Sequence, residues 1–343
     1  MSERVLSQRE LNRALLARQL LLERGRTTIP KALERIGGIQ AQYAPAMYIG
    51  LWSRVAGFER AALTRALERR SVIQATLMRA TIHLVSKADY WPLTVAIRAE
   101  RRAWWERTRK QADPKRARAA GKQLRAFLAD RPRRWKEIQG RLGREEALAA
   151  AQYVDLVRVP PSGTWEQRRA DLYGLAEEWI GRDGTTEKKG LELLVRRYLG
   201  GFGPATPAEV ADFGMVSIAR VRAALEQMEL RRFRDEGGKE LVDLPRAPLP
   251  DGDTPAQPRF LPVWDATLLV HARRTQILPE EYRPLVFNVK VPNSVNTFLL
   301  DGRVAGSWRF EDGKVRLEAF DRVSRGQRRA LDDEAKRLAA FHA

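Results

Sequence analysis

The chain has 343 residues, 44% of them hydrophobic, enough for two to four packed units and too apolar for a disordered chain. Lys and Arg number 62 against 43 Asp and Glu, a formal charge of +19, and self-repulsion of that size points to a polyanionic partner. The absence of cysteine excludes disulfides, thiolate catalysis and cysteine zinc sites.

Taken in chain order, the first helix starts at a capping box, Ser7 with Glu10, and presents Leu11, Leu15 and Leu22 on one face. A second begins near Pro30, a residue suited to a first turn, and stops before Gly37-Gly38. Residues 59–69 form a third, with Leu63 and Leu67 inward. Two β-rich runs follow, 71–77 and 82–85, and three helices before a two-stranded ribbon is the order of a winged helix. The order recurs: helices over 115–129, 135–142 and 145–152 precede a strand at 154–159. A third copy has helices at 191–199, from Thr206-Pro207, and at 217–228, then a hairpin across Asp235-Glu-Gly-Gly. After a Pro- and Gly-rich linker at 245–258, strands are expected at 260–263, 267–270, 286–291, 296–300, 303–310 and 315–320. A helix over 324–342 closes the chain.

The charge is concentrated. Between Arg98 and Arg144 there are 17 Lys or Arg against 5 Asp or Glu, including Arg133 and Arg134. Guanidinium groups at this density suit phosphate contact. Trp104, Trp105 and Trp135 in the same stretch are expected to pack in the core rather than stack on bases. The three histidines, His83, His271 and His342, show no metal-ligand spacing, and nothing calls for a metal or organic cofactor. The N-terminal residues have no signal-peptide core and no apolar run reaches membrane-spanning length, so a cytoplasmic protein without membrane partners is expected.

The stretch Arg35-Ile-Gly-Gly-Ile-Gln-Ala-Gln-Tyr-Ala-Pro-Ala-Met-Tyr-Ile-Gly-Leu-Trp-Ser-Arg resembles the active-site region of the AlkZ-type bacterial DNA glycosylases, a winged-helix superfamily that includes a YcaQ branch. The likeness continues in Arg79-Ala-Thr-Ile-His-Leu-Val, Leu261-Pro-Val-Trp-Asp-Ala-Thr-Leu-Leu-Val and Asp301-Gly-Arg-Val-Ala-Gly-Ser-Trp. It implies an α+β fold of three tandem winged-helix motifs, a C-terminal β-barrel-like element and a terminal helix. The corresponding units are 1–113, with the candidate catalytic loop and a following helix; 114–182, which is basic; 183–250; and 251–343. It also implies a monomer that excises N7-alkylated guanines from double-stranded DNA, bulky antibiotic adducts and interstrand crosslinks among them.

Gln40, Ala41 and Gln42 match the glutamine–apolar–glutamine form of the AlkZ branch, and Ala80 stands where glycine is expected. An N7-alkylguanine is already cationic and leaves without a general acid. A neutral amide is no general base, but its carbonyl can orient water and face an oxocarbenium-like sugar. In an extended segment, residues 40 and 42 point the same way. Taken alone, the pair would more often satisfy loop backbone groups or cap a helix. Arg79, Thr81 and His83 share a face if their segment is a strand, either lining the site or forming a wing with a hydrogen-bonded histidine. Trp264 and Asp265 read as fold-forming, and Arg303 as a hairpin residue directed to DNA or to solvent. The competing readings are a non-catalytic winged-helix regulator and an RNA-binding or scaffold protein. Burial of both glutamines favours the regulator; their exposure on a basic channel floor favours the enzyme.

Overall fold

The computed structural model describes residues 4–109, 112–269, 274–288 and 293–343. A short strand β1 (Val5–Leu6) leads into α1 (Gln8–Arg18), whose start is the Ser7–Glu10 capping box. Then come α2 (Ile29–Ile36), β2 (Ile39–Gln40), α3 (Ala44–Arg54) and α4 (Arg60–Glu68), followed by the antiparallel ribbon β3 (Val72–Thr76) and β4 (Ile82–Ser86). A long helix, α5 (Lys87–Thr108), crosses to the second set: α6 (Pro114–Leu128), β5 (Arg133–Arg134), α7 (Trp135–Leu142) and α8 (Arg144–Ala150). Its ribbon is β6 (Leu156–Arg158) with β7 (Leu172–Leu175).

After the short α9 (Ala176–Ile180), the third set comprises α10 (Glu187–Phe202), α11 (Pro207–Gly214) and α12 (Ile218–Leu225), with ribbon β8 (Arg231–Asp235) and β9 (Glu240–Asp243). Helices followed by an antiparallel ribbon therefore occur three times, four helices in the first set, where α3 is additional to the expected three, and three in each of the others. The first two ribbons merge, through β3 and β6, into one six-stranded sheet ordered β2-β4-β3-β6-β7-β5. The third ribbon is joined by β1, parallel to β8.

The C-terminal region opens with β10 (Arg259–Leu261) and α13 (Ala266–Leu269), so residues 267–269 are helical where a strand was expected, with residue 270 outside the described residues. Asp265 accounts for the helix: its Oδ1 takes the backbone N–H and hydroxyl of Thr267. Next are α14 (Arg283–Val286), β11 (Phe287–Asn288) and β12 (Asn293–Ser294). The expected strand at 286–291 is thus described only at its start, and His271 also lies outside the described residues. β10, β13 (Thr297–Leu300), β14 (Arg303–Glu311) and β15 (Lys314–Ala319) form an open four-stranded sheet; no closed barrel occurs among the described residues. Strand β15 has an alternating exposed and half-buried pattern, and α15 (Arg325–His342) packs on it.

The core is organised around α10, which packs against α5, α2 and α1, with Leu194, Val195, Tyr198 and Leu199 fully buried. Three buried or half-buried arginines tie distant segments together. Arg18 reaches Asp243 at 2.7 and 2.9 Å, Arg54 reaches Asp265 at 2.9 and 2.8 Å, and Arg197 reaches Asp89 at 2.7 and 2.8 Å. Each is a two-point guanidinium–carboxylate contact, the geometry that best offsets desolvation of both charges. Asp265 is thereby committed to the fold.

Candidate active site

The candidate loop begins where α2 is forced to stop. Gly37 (φ +78°) caps the helix in the left-handed region and Gly38 (φ +84°) repeats that conformation. A Cβ on Gly38 would lie 3.0 Å from Val85 Cγ1 and 3.1 Å from the Leu84 carbonyl, so any side chain here would add crowding against β4 to the strain of the positive φ. This approach creates β2, which pairs Ile39 with Leu84 and Gln40 with His83.

Beyond Gln40 the ladder is completed by a side chain. Ala41 N–H donates to the Ile82 carbonyl at 2.7 Å, whereas Ile82 N–H donates to Gln42 Oε1 at 3.1 Å. The Ala41 carbonyl instead accepts from Gln74 Nε2 at 3.4 Å. Gln42 thus occupies an acceptor place at the edge of the sheet, and α3 begins immediately after Tyr43. Gln40 Oε1 accepts from Arg79 Nη2 at 2.9 Å. Because both partners are obligate donors, the carbonyl and amino ends of both glutamines are fixed. Each carbonyl keeps a second lone pair, and neither amino group has a partner among the described residues.

The two glutamines differ in exposure. Gln40 is 7% exposed, while Gln42 lies on the surface beside Tyr43, which is 40% exposed. They are therefore not a matched pair on an open floor. The Gln42–Ile82 contact is the kind of backbone satisfaction expected of a structural glutamine, so exposure alone does not separate the two readings.

Arg79 does not reach the site along a strand. Met78–Ala80 is a 3₁₀ turn in which Arg79 and Ala80 both have φ +53°, and β4 starts at Ile82. The expectation that Arg79, Thr81 and His83 share a strand face is corrected on that point. Instead, the left-handed turn swings Arg79 back over Gln40 and against the Phe213 ring, 5.6 Å from its centroid. Arg79 is half-buried, its Nη1 has no partner, and burial lowers its pKa to about 10, so it remains a cation at neutral pH. The position of Ala80 explains why glycine suits it: the left-handed region is strained for any residue with a Cβ.

Thr81 is half-buried, and its hydroxyl donates to the Met78 carbonyl at 3.2 Å. His83 is 2% exposed and its Nδ1 lies 3.1 Å from the Thr81 carbonyl. Burial, reinforced by the Arg79 cation, pushes its pKa down to about 3. His83 is therefore a neutral interior imidazole, unsuited to protonating a base or pairing with phosphate.

The remaining site residues lie elsewhere. Arg303 is exposed at the Asp301–Gly302 turn, which packs on Asn12 and Arg13 of α1 and makes no contact with either glutamine. Arg133 is held by Asp130 at 2.7 and 3.0 Å, with the Phe127 ring 4.6 Å away, and Arg134 by Asp171 at 2.8 Å. Much of the basic segment is similarly committed: Arg98 to Asp155, Arg116 to Glu146, Arg125 to Glu177 and Arg131 to Glu137. Exposed cations without an acidic partner among the described residues include Arg107, Arg109, Lys115, Lys122, Arg141 and Arg144. Of the tryptophans, Trp105 is 8% exposed, Trp135 is half-buried and Trp104 is 37% exposed.

Three neighbours had no separate signal. Gln74 is 1% exposed and braces the Ala41 carbonyl. Tyr43 accepts a hydrogen bond from Arg168 Nη1 at 3.2 Å, which joins the loop between β6 and β7 to the candidate site. Gln74 was visible only as a lone polar residue in an apolar strand, and Arg168 not at all. Among the described residues no group of three His, Asp or Glu could hold a metal, and no helix is long and apolar enough to cross a membrane.

Comparison with known proteins bears on this arrangement. A family model described as "DNA glycosylase AlkZ-like" matches residues 33–341. Among solved structures, the chain is similar to the DNA glycosylase AlkZ of Streptomyces sahachiroi, with a TM-score of 0.82 at 20% identity. That match covers 99% of this chain and 98% of the other. No curated protein matches.

Proposed function

The chain belongs to the AlkZ-like DNA glycosylase family, and on that premise we propose that it hydrolyses the N-glycosidic bond of N7-alkylguanine in double-stranded DNA, with Gln40 and Gln42 as the catalytic pair. The observation that carries the reading is the amide geometry: two glutamine carbonyls from one loop, each with an unused lone pair, Gln42 fixed by Ile82 N–H and Gln40 held by Arg79 in the DNA-free chain. We read the three helix–ribbon units as winged helices that grip the duplex as a monomer, within the divisions 1–113, 114–182, 183–250 and 251–343.

In the proposed reaction the cationic base leaves as C1′–N9 breaks, taking the bonding electrons and becoming neutral. Positive charge appears on the sugar. The carbonyl dipoles of Gln42 at the surface and Gln40 behind it face that charge and hold the attacking water. Water adds to C1′ and its proton passes to solvent, since neither amide nor neutral His83 is a base of the required strength.

Arg79 has a separate role. A cation beside an oxocarbenium ion is unfavourable, and its donation to Gln40 Oε1 weakens that carbonyl as an acceptor. The unpartnered Nη1 is therefore the donor for a DNA phosphate, whose approach draws the guanidinium from Gln40. Tyr43, exposed next to Gln42, offers a stacking surface for an extruded base. Arg303, Arg133 and Arg134 are assigned to the DNA backbone, the last two on condition that Asp130 and Asp171 yield them.

The test is release of the free base from duplex DNA alkylated at guanine N7, read as alkali-labile abasic sites. Bulky and methyl adducts assayed side by side identify the lesion. The Gln42–Ile82 contact favours a second reading, a DNA-binding protein in which the glutamines only close the sheet. Binding without base release from any N7 adduct would select it.

A further inference from the structure

A cavity of about 280 Å³ lies between α5, the start of α7 and strands β6 and β7. It shares no lining residue with the Gln40–Gln42 site. Arg101 of α5 and Arg158 of β6 project into it, 7% and 6% exposed respectively. Arg101 donates to the Thr76 carbonyl at 3.0 Å and Arg158 to the Tyr173 hydroxyl at 3.2 Å. Neither makes another hydrogen bond among the described residues, and the buried Nε of each is without a partner.

The charge balance around these two groups is unusual. The carboxylate lining the cavity is Asp155, whose Oδ2 is occupied by Arg98 at 2.8 Å, and it forms no ion pair with Arg101 or Arg158. Two guanidinium ions are thus removed from water with only neutral hydrogen-bond partners, Arg158 also lying 4.9 Å from the Tyr173 ring centroid. The Asp155 charge offsets part of the cost for Arg101, yet burial still lowers the pKa of both. Desolvating a cation without a close counter-ion is costly. An interior that holds two of them beside an open cavity is complementary to a negative ligand. The walls add Tyr90, whose buried hydroxyl stays protonated, and the Trp135–Tyr173 pair, with ring centroids 5.1 Å apart. The space far exceeds that of one water, so an esterified anion fits as well as a bare one.

We propose that this cavity binds an oxyanion of the phosphate class between Arg101 and Arg158. Two guanidinium forks present planar pairs of donors to tetrahedral oxyanions, and the aromatic walls accommodate the group that the phosphate carries. The site stands apart from the glycosylase reading, because none of its readouts involves base release.

The experiment is thermal unfolding of the full chain titrated with inorganic phosphate against chloride at constant ionic strength. Wild type is expected to show a saturable rise in Tm. Arg101→Met and Arg158→Met are expected to weaken phosphate binding at least roughly tenfold while still unfolding cooperatively. If either variant does not fold, a tungstate soak of wild-type crystals reads the same site, with an anomalous peak expected between the two guanidinium groups. Unmodified duplex DNA distinguishes the source of the phosphate. A loss of about one in the salt slope of DNA binding for both variants identifies a backbone phosphate. An unchanged slope identifies a free phosphate ester. A Tm that does not respond to phosphate, or a response equal in wild type and both variants, overturns the proposal.

Discussion

Arg79 donates from Nη2 to Oε1 of Gln40 at 2.9 Å, although 39 positions separate them and neither lies in the helices that build the core. The contact exists because two unrelated turns converge: Gly37-Gly38 brings the glutamine onto the sheet, and a left-handed 3₁₀ turn folds the arginine back over it. It ties a cation to an amide in the candidate site. On the account above, DNA exchanges that amide for a phosphate.

Arg79→Met is therefore expected to weaken binding to undamaged duplex by roughly tenfold and to reduce the salt slope by about one. Arg79→Lys retains charge but loses the fork, and should recover the slope without all of the affinity. Filter binding at several salt concentrations measures both. A slope identical to wild type in Arg79→Met would place this arginine away from phosphate.

Ala80 adopts φ +53° in the same turn. Replacing it with glycine removes left-handed strain and adds freedom to the unfolded chain, two opposing terms of which the first is larger. Ala80→Gly is expected to stabilise the protein by roughly 0.5–1 kcal/mol in urea denaturation. A destabilisation would show that the methyl group packs usefully against its surroundings.

His83 gives the fold a pH signature. Its pKa is pushed down to about 3 in the native state and returns to about 6.5 on unfolding, so between those values the unfolded chain holds a proton that the native chain does not. Stability from this residue is complete above pH 6.5 and falls as pH drops, by about 1.4 kcal/mol per unit at its steepest. The half-buried His342, lowered to about 4, acts in the same direction. His83→Asn should flatten the loss measured between pH 6.5 and 5, where carboxylates contribute least. An unchanged profile would mean that His83 is protonated in place.

Asp265 should behave as a structural residue. Its carboxylate is 4% exposed and holds Arg54 at two points. Asp265→Ala leaves a buried guanidinium unpaired and is expected to cost about 3–5 kcal/mol. The double variant Arg54→Met with Asp265→Leu should recover much of that loss in equilibrium unfolding. If the double variant is no more stable than the single, the pair is not what Asp265 contributes.

Local chemistry wrote much of this into the sequence. The Ser7–Glu10 box, Thr206-Pro207 and the Asp301-Gly302 turn are decided by neighbouring residues, and the structure has each where it was expected. Helix α3 was missed because it is buried almost all round: Pro45, Met47, Tyr48, Ile49 and Leu51 give no polar face, and Gly50 reads as a breaker. The open C-terminal sheet and the merging of two ribbons through β3 and β6 depend on long-range pairing, which periodicity does not encode. At the site, the glutamine pair was legible through its surroundings. The inequality between buried Gln40 and exposed Gln42 was not, since it follows from Gln42 taking Ile82 N–H in place of a backbone carbonyl. Nor was the fate of the basic segment, where more than half of the arginines that looked available have acidic or carbonyl partners, most of them brought from elsewhere in the fold.

The central claim is that both amides act on the glycosidic bond. The direct measurement is the single-turnover rate of N7-alkylguanine release from duplex DNA by wild type, Gln40→Ala, Gln42→Ala and the double variant, at saturating enzyme. The account predicts that each single change slows release by about 100-fold or more, with DNA affinity little altered and the double variant not much worse than the weaker single, as for residues acting as a unit. Full activity in the double variant would contradict it and return both glutamines to the sheet edge they help to close.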